Sequence, residues 1–454
     1  MSYSFDFTAD TQRLELDPSY WVDDRRLSRA FCHALPASLA DLLDVVMAVY
    51  AADRRSLRNF KGAATGQRRI TVRVWVRDPD RWTDPETASK LHVLLKWLSE
   101  DEWSFHFDER KGGPRPSETE HFLFELPPAL PVSVSLFSGG LDSIAGLAVR
   151  VQEEPSRSYV LVSGYTHNRL AFQQRFQVQC IKSVLRQGAA PEEIPELRHL
   201  AVPFGIRNPN GCQEEKSQRT RGLVFLALGV AAAVQAGTDT LWVHENGIGA
   251  LNLPLSEAQL GVDNYRGVHP RSLMLAEDLF AAALRQQVRI KNPFLFQTKA
   301  EMCTGLRSGR LADIIKETVS CDGFPQRIRN QPPQCGYCTS CVLRRQSLHA
   351  SGLEQYDPAV GYRYDVFRGQ ADLNQRYLFG LELMRGQIHK ISQCLSCNTP
   401  WCTLAASFPE LGRVQAELSA REGLRAEVVK DRFVRLYETY VGEWRSFVPA
   451  KLAA

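Results

Sequence analysis

The chain has 454 residues, 44% hydrophobic and 23% charged, a balance that excludes disorder and predicts two or three packed units, since the length exceeds one typical core. Basic residues outnumber acidic ones by only four, 55 against 51, too thin an excess over this length for a nucleic-acid footprint. The longest apolar run, 222–234, is shorter than the roughly 20 residues of a membrane span, and residues 1–10 lack the basic and apolar regions of a secretory signal. The expectation is a soluble, cytoplasmic protein whose eleven cysteines serve as thiols and metal ligands and not as disulfides.

Residues 1–130 mix periods. Residues 38–50 and ASKLHVLLKWLSED (88–101) repeat as helices, while RRITVRVWVRD (68–78), EWSFHFDER (102–110) and HFLFEL (121–126) alternate as half-buried strands, with a polar hairpin or loose connection over 108–120. This is an α+β leader domain with no catalytic constellation. The basic clusters Arg54, Arg55, Arg58 and Arg344, Arg345 are expected to be solvated faces.

From 131 to 345 short buried strands alternate with helices: VSVSLF (132–137), YVLVSG (159–164), LRHLAVP (197–203) and TLWVHENG (240–247), with helices beginning at Asp142 and running through 172–185, 223–234 and 273–285. Such alternation predicts an α/β parallel, doubly wound sheet. Ligands bind such sheets beyond the carboxyl ends of the strands. Residues 346–454 read as a mostly helical C-terminal extension, clearest over 373–391 and 428–444.

At the end of the first core strand lies SLFSGGLDS (135–143). Val132, Val134 and Leu136 make the strand, and Leu141, Ile144, Ala145 and Ala148 the buried face of the following helix, so Ser138–Ser143 is a tight strand-to-helix turn. Gly139 and Gly140 let backbone amides approach a ligand, the helix N-terminus adds free N–H groups, and Ser138 and Ser143 add hydroxyls. The turn is an anion cradle. It lacks the lysine of the P-loop, which suits it to gripping pyrophosphate while an α-phosphate is attacked, with Asp142 positioning magnesium or orienting the loop. SGGLDS resembles the PP-loop signature of ATP pyrophosphatases, enzymes that adenylate a substrate and release pyrophosphate.

Cys321, Cys335, Cys338 and Cys341 give one cysteine and then a run with two-residue gaps, the spacing of four thiolates around a structural zinc ion. The segment TVSCDGFPQRIRNQPPQCGYCTSCVLR resembles the zinc segment of 7-cyano-7-deazaguanine synthases (QueC). NPFLFQTKAEM resembles that family's Thr-Lys-Ala-Glu segment, and QRTRGLVFLALGVAAAVQAGTDTLWVHENG its Arg-containing helix start and following strand. The resemblance implies a QueC-like core over 131–345, a Rossmann-like (HUP) parallel sheet PP-loop domain with a structural zinc site. It implies ATP, Mg2+ and Zn2+ as cofactors and activation of a deazaguanine carboxylate as an acyl-adenylate. Residue by residue, Ser138, Gly139, Gly140, Leu141, Asp142 and Ser143 would hold the ATP phosphates, Ser163 and Gly164 would lie near adenine or ribose, and Arg219 or Arg221 with Lys299 would offset phosphate charge.

The chain departs from the family where LWVHENG should lead to a Tyr-Pro-Asp-Cys stretch that helps recognise the base; it reads IGALNLPLSEAQLG (248–261). Glu245 and Asn246 are the candidate replacements for substrate recognition. The leader and tail have no counterpart in the compact synthases, and the enlarged chain resembles the QueC-like components of anti-phage systems, notably QatC of the Qat system. That implies a protein partner from the same operon, docked on the leader, as amine acceptor. The alternatives are a 7-cyano-7-deazaguanine synthase using ammonia, another PP-loop activity such as tRNA thiolation, and a scaffold subunit that has lost catalysis. Cys394, Cys397 and Cys402, with His389 upstream, make a weaker zinc pattern. His167, His244 and His269 are expected to be structural, and Cys180 and Cys303 to pack in the core.

Overall fold

The computed structural model describes residues 1–7, 20–58, 67–122, 131–187, 194–207, 211, 213–256, 266–308, 310–325, 332–367 and 375–452, with side chains to 447. Most of the strand expected over 121–126, and 257–261 of the departing segment, lie outside the described residues.

The leader contains β1 (Ser2–Asp6), β2 (Tyr20–Val22), α1 (Arg25–Phe31), α2 (Ala37–Arg55), β3 (Arg69–Val76), α3 (Pro79–Thr83), α4 (Pro85–Ser99), β4 (Glu102–Glu109) and α5 (Pro116–Thr119). Its three-stranded sheet runs β1-β3-β4 and is wholly parallel. Helices α3 and α4 supply the crossover that parallel neighbours require, and Asp84 caps α4 by accepting from the backbone N–H groups of Glu86 and Thr87.

The core contributes β5 (Val132–Leu136), α6 (Leu141–Glu153), β6 (Ser158–Tyr165), α7 (Asn168–Arg186), β7 (Leu197–Ile206), α8 (Arg221–Gln235), β8 (Thr240–Trp242), α9 (Gly247–Leu251), α10 (Pro270–Leu284), β9 (Arg289–Lys291), α11 (Lys299–Ser308) and α12 (Thr339–Ala350). The main sheet runs β2-β7-β6-β5-β8-β9. The five core strands are parallel, and every residue of β6 is buried, as expected of a strand covered on both faces. Strand order reverses between β5 and β8, which places the crevice beside the loop after β5.

The sequence boundary near 130 is not a boundary between cores. Leader strand β2 pairs antiparallel with β7 as the edge of the main sheet. One hydrophobic cluster joins Met47, Val72 and Leu94 of the leader to Val202, Leu228 and Phe280 of the core. Asp53, at the end of α2, accepts from the backbone N–H of Thr220 at 3.1 Å and from its hydroxyl at 2.9 Å, so a leader carboxylate caps the N-terminus of α8.

The basic clusters are also not solvated faces. Arg54 pairs with Glu214, Arg58 is buried against Asp101 at 2.6 Å, and Arg68 bridges Asp53 and Asp101. Arg344 is fully buried on Asp357 at 2.9 Å, and Arg345 pairs with Asp365 at 2.8 Å. Each of these guanidinium groups has a carboxylate partner, which is what makes its burial tolerable; Arg55 differs, remaining partly exposed and donating to the Arg207 carbonyl at 2.9 Å.

The tail folds as α13 (Gln375–Leu395), α14 (Pro400–Ser407), α15 (Pro409–Glu422) and α16 (Ala426–Leu452). Leu404, Leu411, Phe433 and Leu436 form a cluster that takes in Leu251 and Leu295 of the core. Among the described residues no helix is long and apolar enough to cross a membrane.

Candidate active site

The loop after β5 turns at Gly139, whose φ is +78° and where an added Cβ would meet Gln177 Oε1 at 2.3 Å. Only glycine fits there. Gly140 precedes the first turn of α6, Ser138 Oγ accepts from the Gly140 N–H at 3.1 Å, and Ser143 Oγ donates to the Gly140 carbonyl at 2.9 Å. Two buried glutamines of α7 brace the turn from behind. Gln174 Nε2 donates to the Ser138 carbonyl at 3.2 Å, and Gln177 Nε2 to the carbonyls of Gly139 at 2.9 Å and Glu317 at 2.7 Å. With the Ser138 and Gly139 carbonyls drawn backward, the N–H groups of the loop other than that of Gly140 are left for a ligand.

Asp142, one residue into α6, is the hub of the site. Its Oδ1 accepts from Asn246 Nδ2 at 3.0 Å across the crevice, and its Oδ2 pairs with Lys299 Nζ. Asn246 also donates to Glu245 Oε1 at 3.0 Å and accepts from the Gly249 N–H at 2.9 Å, capping α9. The site residues predicted from two strand ends and one helix start therefore converge. Burial opposes the charge on Lys299, but the carboxylates of Asp142 and Glu245 raise its pKa, so it stays a cation. Burial first, and then Asp142, push Glu245 up to about 8. Both oxygens of Asp142 are occupied, and among the described residues no cluster of three acidic groups faces the loop.

Two cavities flank the loop. The first, about 620 Å³, lies beyond β6 and α8 and is lined by Gly164, His167, Arg221 and Phe225 among others. The second, about 520 Å³, is lined by Asp142, Lys299, the segment Ile248 to Leu255, and the tail residues Met384, Gln387, Tyr437 and Tyr440. Ser138, Glu245, Val268 and Asp322 line both. Each has the volume of a small-ligand site.

Two predicted residues sit elsewhere. Ser163 is buried, donating to the Phe137 carbonyl at 2.6 Å beside His199 Nε2 at 2.9 Å, while its neighbour Gly164 faces the first cavity. Arg219 points into the leader, donating to the Ser99 carbonyl at 3.2 Å and pairing with Glu100, whereas Arg221 lines the first cavity with its guanidinium over Phe225.

The Sγ atoms of Cys321, Cys335, Cys338 and Cys341 lie within 4.8 Å of one another. Tetrahedral zinc with Zn–S bonds near 2.3 Å spaces its sulfurs by about 3.8 Å, and Cys335 and Cys341 are 3.9 Å apart. Backbone N–H groups of Cys338 and Gly323 point at Cys335 and Cys321 sulfurs at 3.2 and 3.4 Å, as thiolates require. The donor set fits zinc. It ties the Cys321–Asp322 corner to the start of α12, both of which contribute to the cavity walls. No such gathering occurs in the tail: Cys394 is buried against Ser407, Cys397 and Cys402 are exposed, and His389 pairs with Gln393.

The histidines make structural contacts, although His167 and His244 also border the first cavity. His167 and His269 cap α7 and α10, and His244 packs on Phe294 and is pushed by burial down to about 4. Cys303 is buried and Cys180 half-buried. Sequence reasoning missed Gln174 and Gln177, whose signal is a polar side chain on the inward stripe of α7 with Ala171, Val178 and Ile181. It also missed the tail residues, for which no local signal exists.

A family model described as Queuosine biosynthesis protein QueC matches residues 218–352, a span that includes Glu245, Lys299 and the four cysteines but not the loop at 138–143. The chain is 28% identical over 239 residues to a 7-cyano-7-deazaguanine synthase of Novosphingobium aromaticivorans, covering 50% of this chain and 93% of that protein. A synthase of the same description from Rhizobium rhizogenes is 27% identical over 49% of this chain and 89% of its own length. One from Brucella anthropi is 24% identical over 51% and 94%. The likeness thus spans nearly the whole of those proteins and half of this one.

Proposed function

We propose that the chain uses ATP to adenylate the 7-carboxylate of a deazaguanine, releases pyrophosphate and passes the acyl group to an amine. The observation that carries this reading is the Asp142–Lys299 pair at the head of a lysine-free phosphate loop, set between two ligand-sized cavities. A carboxylate is a poor electrophile because hydroxide leaves badly, and adenylate is a better leaving group. The backbone N–H groups of Gly139 and Leu141 and the start of α6 grip the departing pyrophosphate, and Lys299 offsets the charge that develops there. The nucleoside fits the cavity beside Gly164 and Arg221, and the deazaguanine the cavity beneath the tail. Magnesium arrives with ATP as part of the substrate. Zinc, when bound, supplies cross-linking of the cavity walls and no chemistry.

The relatives' description supports a nitrile as product, which takes ammonia as the acceptor and a second ATP-dependent activation to remove water from the amide. The added regions support the other acceptor we propose, the N-terminus of a partner protein from the same operon, in an anti-phage system of the Qat type acting in the cytoplasm. Incubation with MgATP and 7-carboxy-7-deazaguanine, with and without co-expressed neighbours, separates these: free nitrile marks the synthase, and a mass gain on a neighbour marks the protein acceptor. No pyrophosphate and no mass change would leave only a scaffold. Asp142→Asn is expected to lower pyrophosphate release on the order of 10²-fold or more; an unchanged rate in that variant would refute the site.

A further inference from the structure

Glu245 has a position that the adenylation step does not use. It follows β8, at the point where strand order reverses, and it is one of four residues that line both cavities. Of the other three, Ser138 belongs to the phosphate loop, Val268 is apolar, and Asp322 accepts from Ser340 Oγ at 2.7 Å beside the zinc ligand Cys321. An acyl-adenylate spanning the two cavities has its carbonyl carbon at their junction. Glu245 is the carboxyl group at that junction that no metal ligand adjoins.

The surroundings hold this carboxyl in place. The Glu245 carbonyl accepts from Asn292 Nδ2 at 2.8 Å, and its N–H approaches Asn292 Oδ1 at 3.5 Å, so the backbone is clamped from the end of β9. On the side chain, Asn246 Nδ2 donates to Oε1 at 3.0 Å. Space for that oxygen exists because residue 249 is glycine: a Cβ there would stand 2.3 Å from Glu245 Oε1.

We propose that Glu245 is the proton acceptor of the acyl-transfer step. This rests on the adenylating function proposed above. A neutral amine attacks the carbonyl carbon of the acyl-adenylate and a C–N bond forms. The nitrogen then carries one proton too many, and that proton passes to the Glu245 carboxylate. The C–O bond to the phosphate breaks, the electron pair leaves with AMP, and an amide remains. Glu245 returns its proton to water through the open cavity. Pyrophosphate release consumes no proton acceptor, so the two half-reactions make different demands on this side chain. The charged groups around it set when it is ready: Asp142 on α6 disfavours its ionised form, Lys299 on α11 favours it, and Asp322 and Arg221 line the same space. With burial and Asp142 placing its pKa at about 8, the carboxylate fraction rises through that region.

The test compares wild type with Glu245→Gln, using 7-carboxy-7-deazaguanine, MgATP and ammonium chloride adjusted to constant free ammonia across pH 6–9. Amide formation is expected to fall at least about tenfold further than carboxylate-dependent pyrophosphate exchange, which itself loses the Glu245 charge beside Lys299, and to lose the rise with pH that wild type shows. Glu245→Asp, which keeps the carboxyl but withdraws it, is expected between the two with the rise retained. Melting curves matching wild type verify that the fold is kept. Amide formation at the wild-type rate in Glu245→Gln would overturn the proposal. So would an equal loss of exchange and amide formation, which would assign Glu245 to nucleotide handling. Absence of exchange in the wild type is a separate result that removes the adenylating function itself, before any variant is compared.

Discussion

The two cavities share one phosphate loop but depend on opposite ends of the chain. On the side of Gly164 and Arg221, where we propose the nucleoside, the leader does the holding. Asp53 caps α8, Arg54 pairs with Glu214, and the Arg58 N–H donates to Glu215 at 2.8 Å, so the segment leading to Lys216, Gln218 and Arg221 is fixed from residues 53–58. On the other side the tail is itself the wall, through Met384, Gln387, Tyr437 and Tyr440. The difference teaches that the two added regions are not equivalent attachments. The leader braces its cavity through a core segment, and the tail lines the other directly.

Loss of the zinc site should erase the comparison altogether, because Cys321 and α12 contribute to the walls. Cys338→Ser is expected to release the metal and lower Tm by roughly 10 °C or more, with both half-reactions lost; scanning calorimetry with metal analysis reads this. Asp53→Asn should weaken only the nucleoside side. Removing one carboxylate from the buried Arg68 group costs about 3 kcal/mol of stability, and the KM for ATP should rise roughly tenfold with little change for the carboxylate substrate. Equal effects on both substrates would erase the division. The smallest effect belongs to the tail. Gln387 Nε2 donates to the carbonyls of Leu253 at 2.8 Å and Pro254 at 3.2 Å, bonds worth about 1 kcal/mol each. Gln387→Leu should therefore raise the KM for the carboxylate by roughly fivefold and leave that for ATP unchanged in steady-state kinetics.

What was legible in the sequence was what local chemistry determines. The other strand periods, the Gly-Gly turn after β5 and the cysteine spacing each depend on residues close in the chain and stand where the pattern placed them, whereas His121 and Phe122 of the strand expected over 121–126 lie in no strand. Ser163 and Gly164 show the limit of such reading. Neighbours on a strand point to opposite sides, so only one of the pair could line the cavity, and the sequence does not say which. Arg219 and Arg221 divide similarly, because the first precedes the helix and turns toward Glu100 while the second lies in its first turn. The buried arginines misled because charge composition does not reveal pairing between residues such as Arg68 and Asp101, which meet only in the fold. The walls contributed by α13 and α16 come from packing across more than a hundred residues and leave no local trace.

The start of α11 has one support that comes late. Thr298 and Glu301 form a reciprocal cap, with the Thr298 N–H donating to Glu301 at 2.9 Å and the Glu301 N–H to Thr298 Oγ1 at 3.1 Å. The Thr298 hydroxyl is in turn held by Glu443 on α16, a residue 145 positions downstream. During synthesis the phosphate loop and the metal ligands leave the ribosome long before that glutamate does. The seat of Lys299 is thus completed near the end of translation, and a nascent chain that already owns its nucleotide loop still waits for the support behind its lysine.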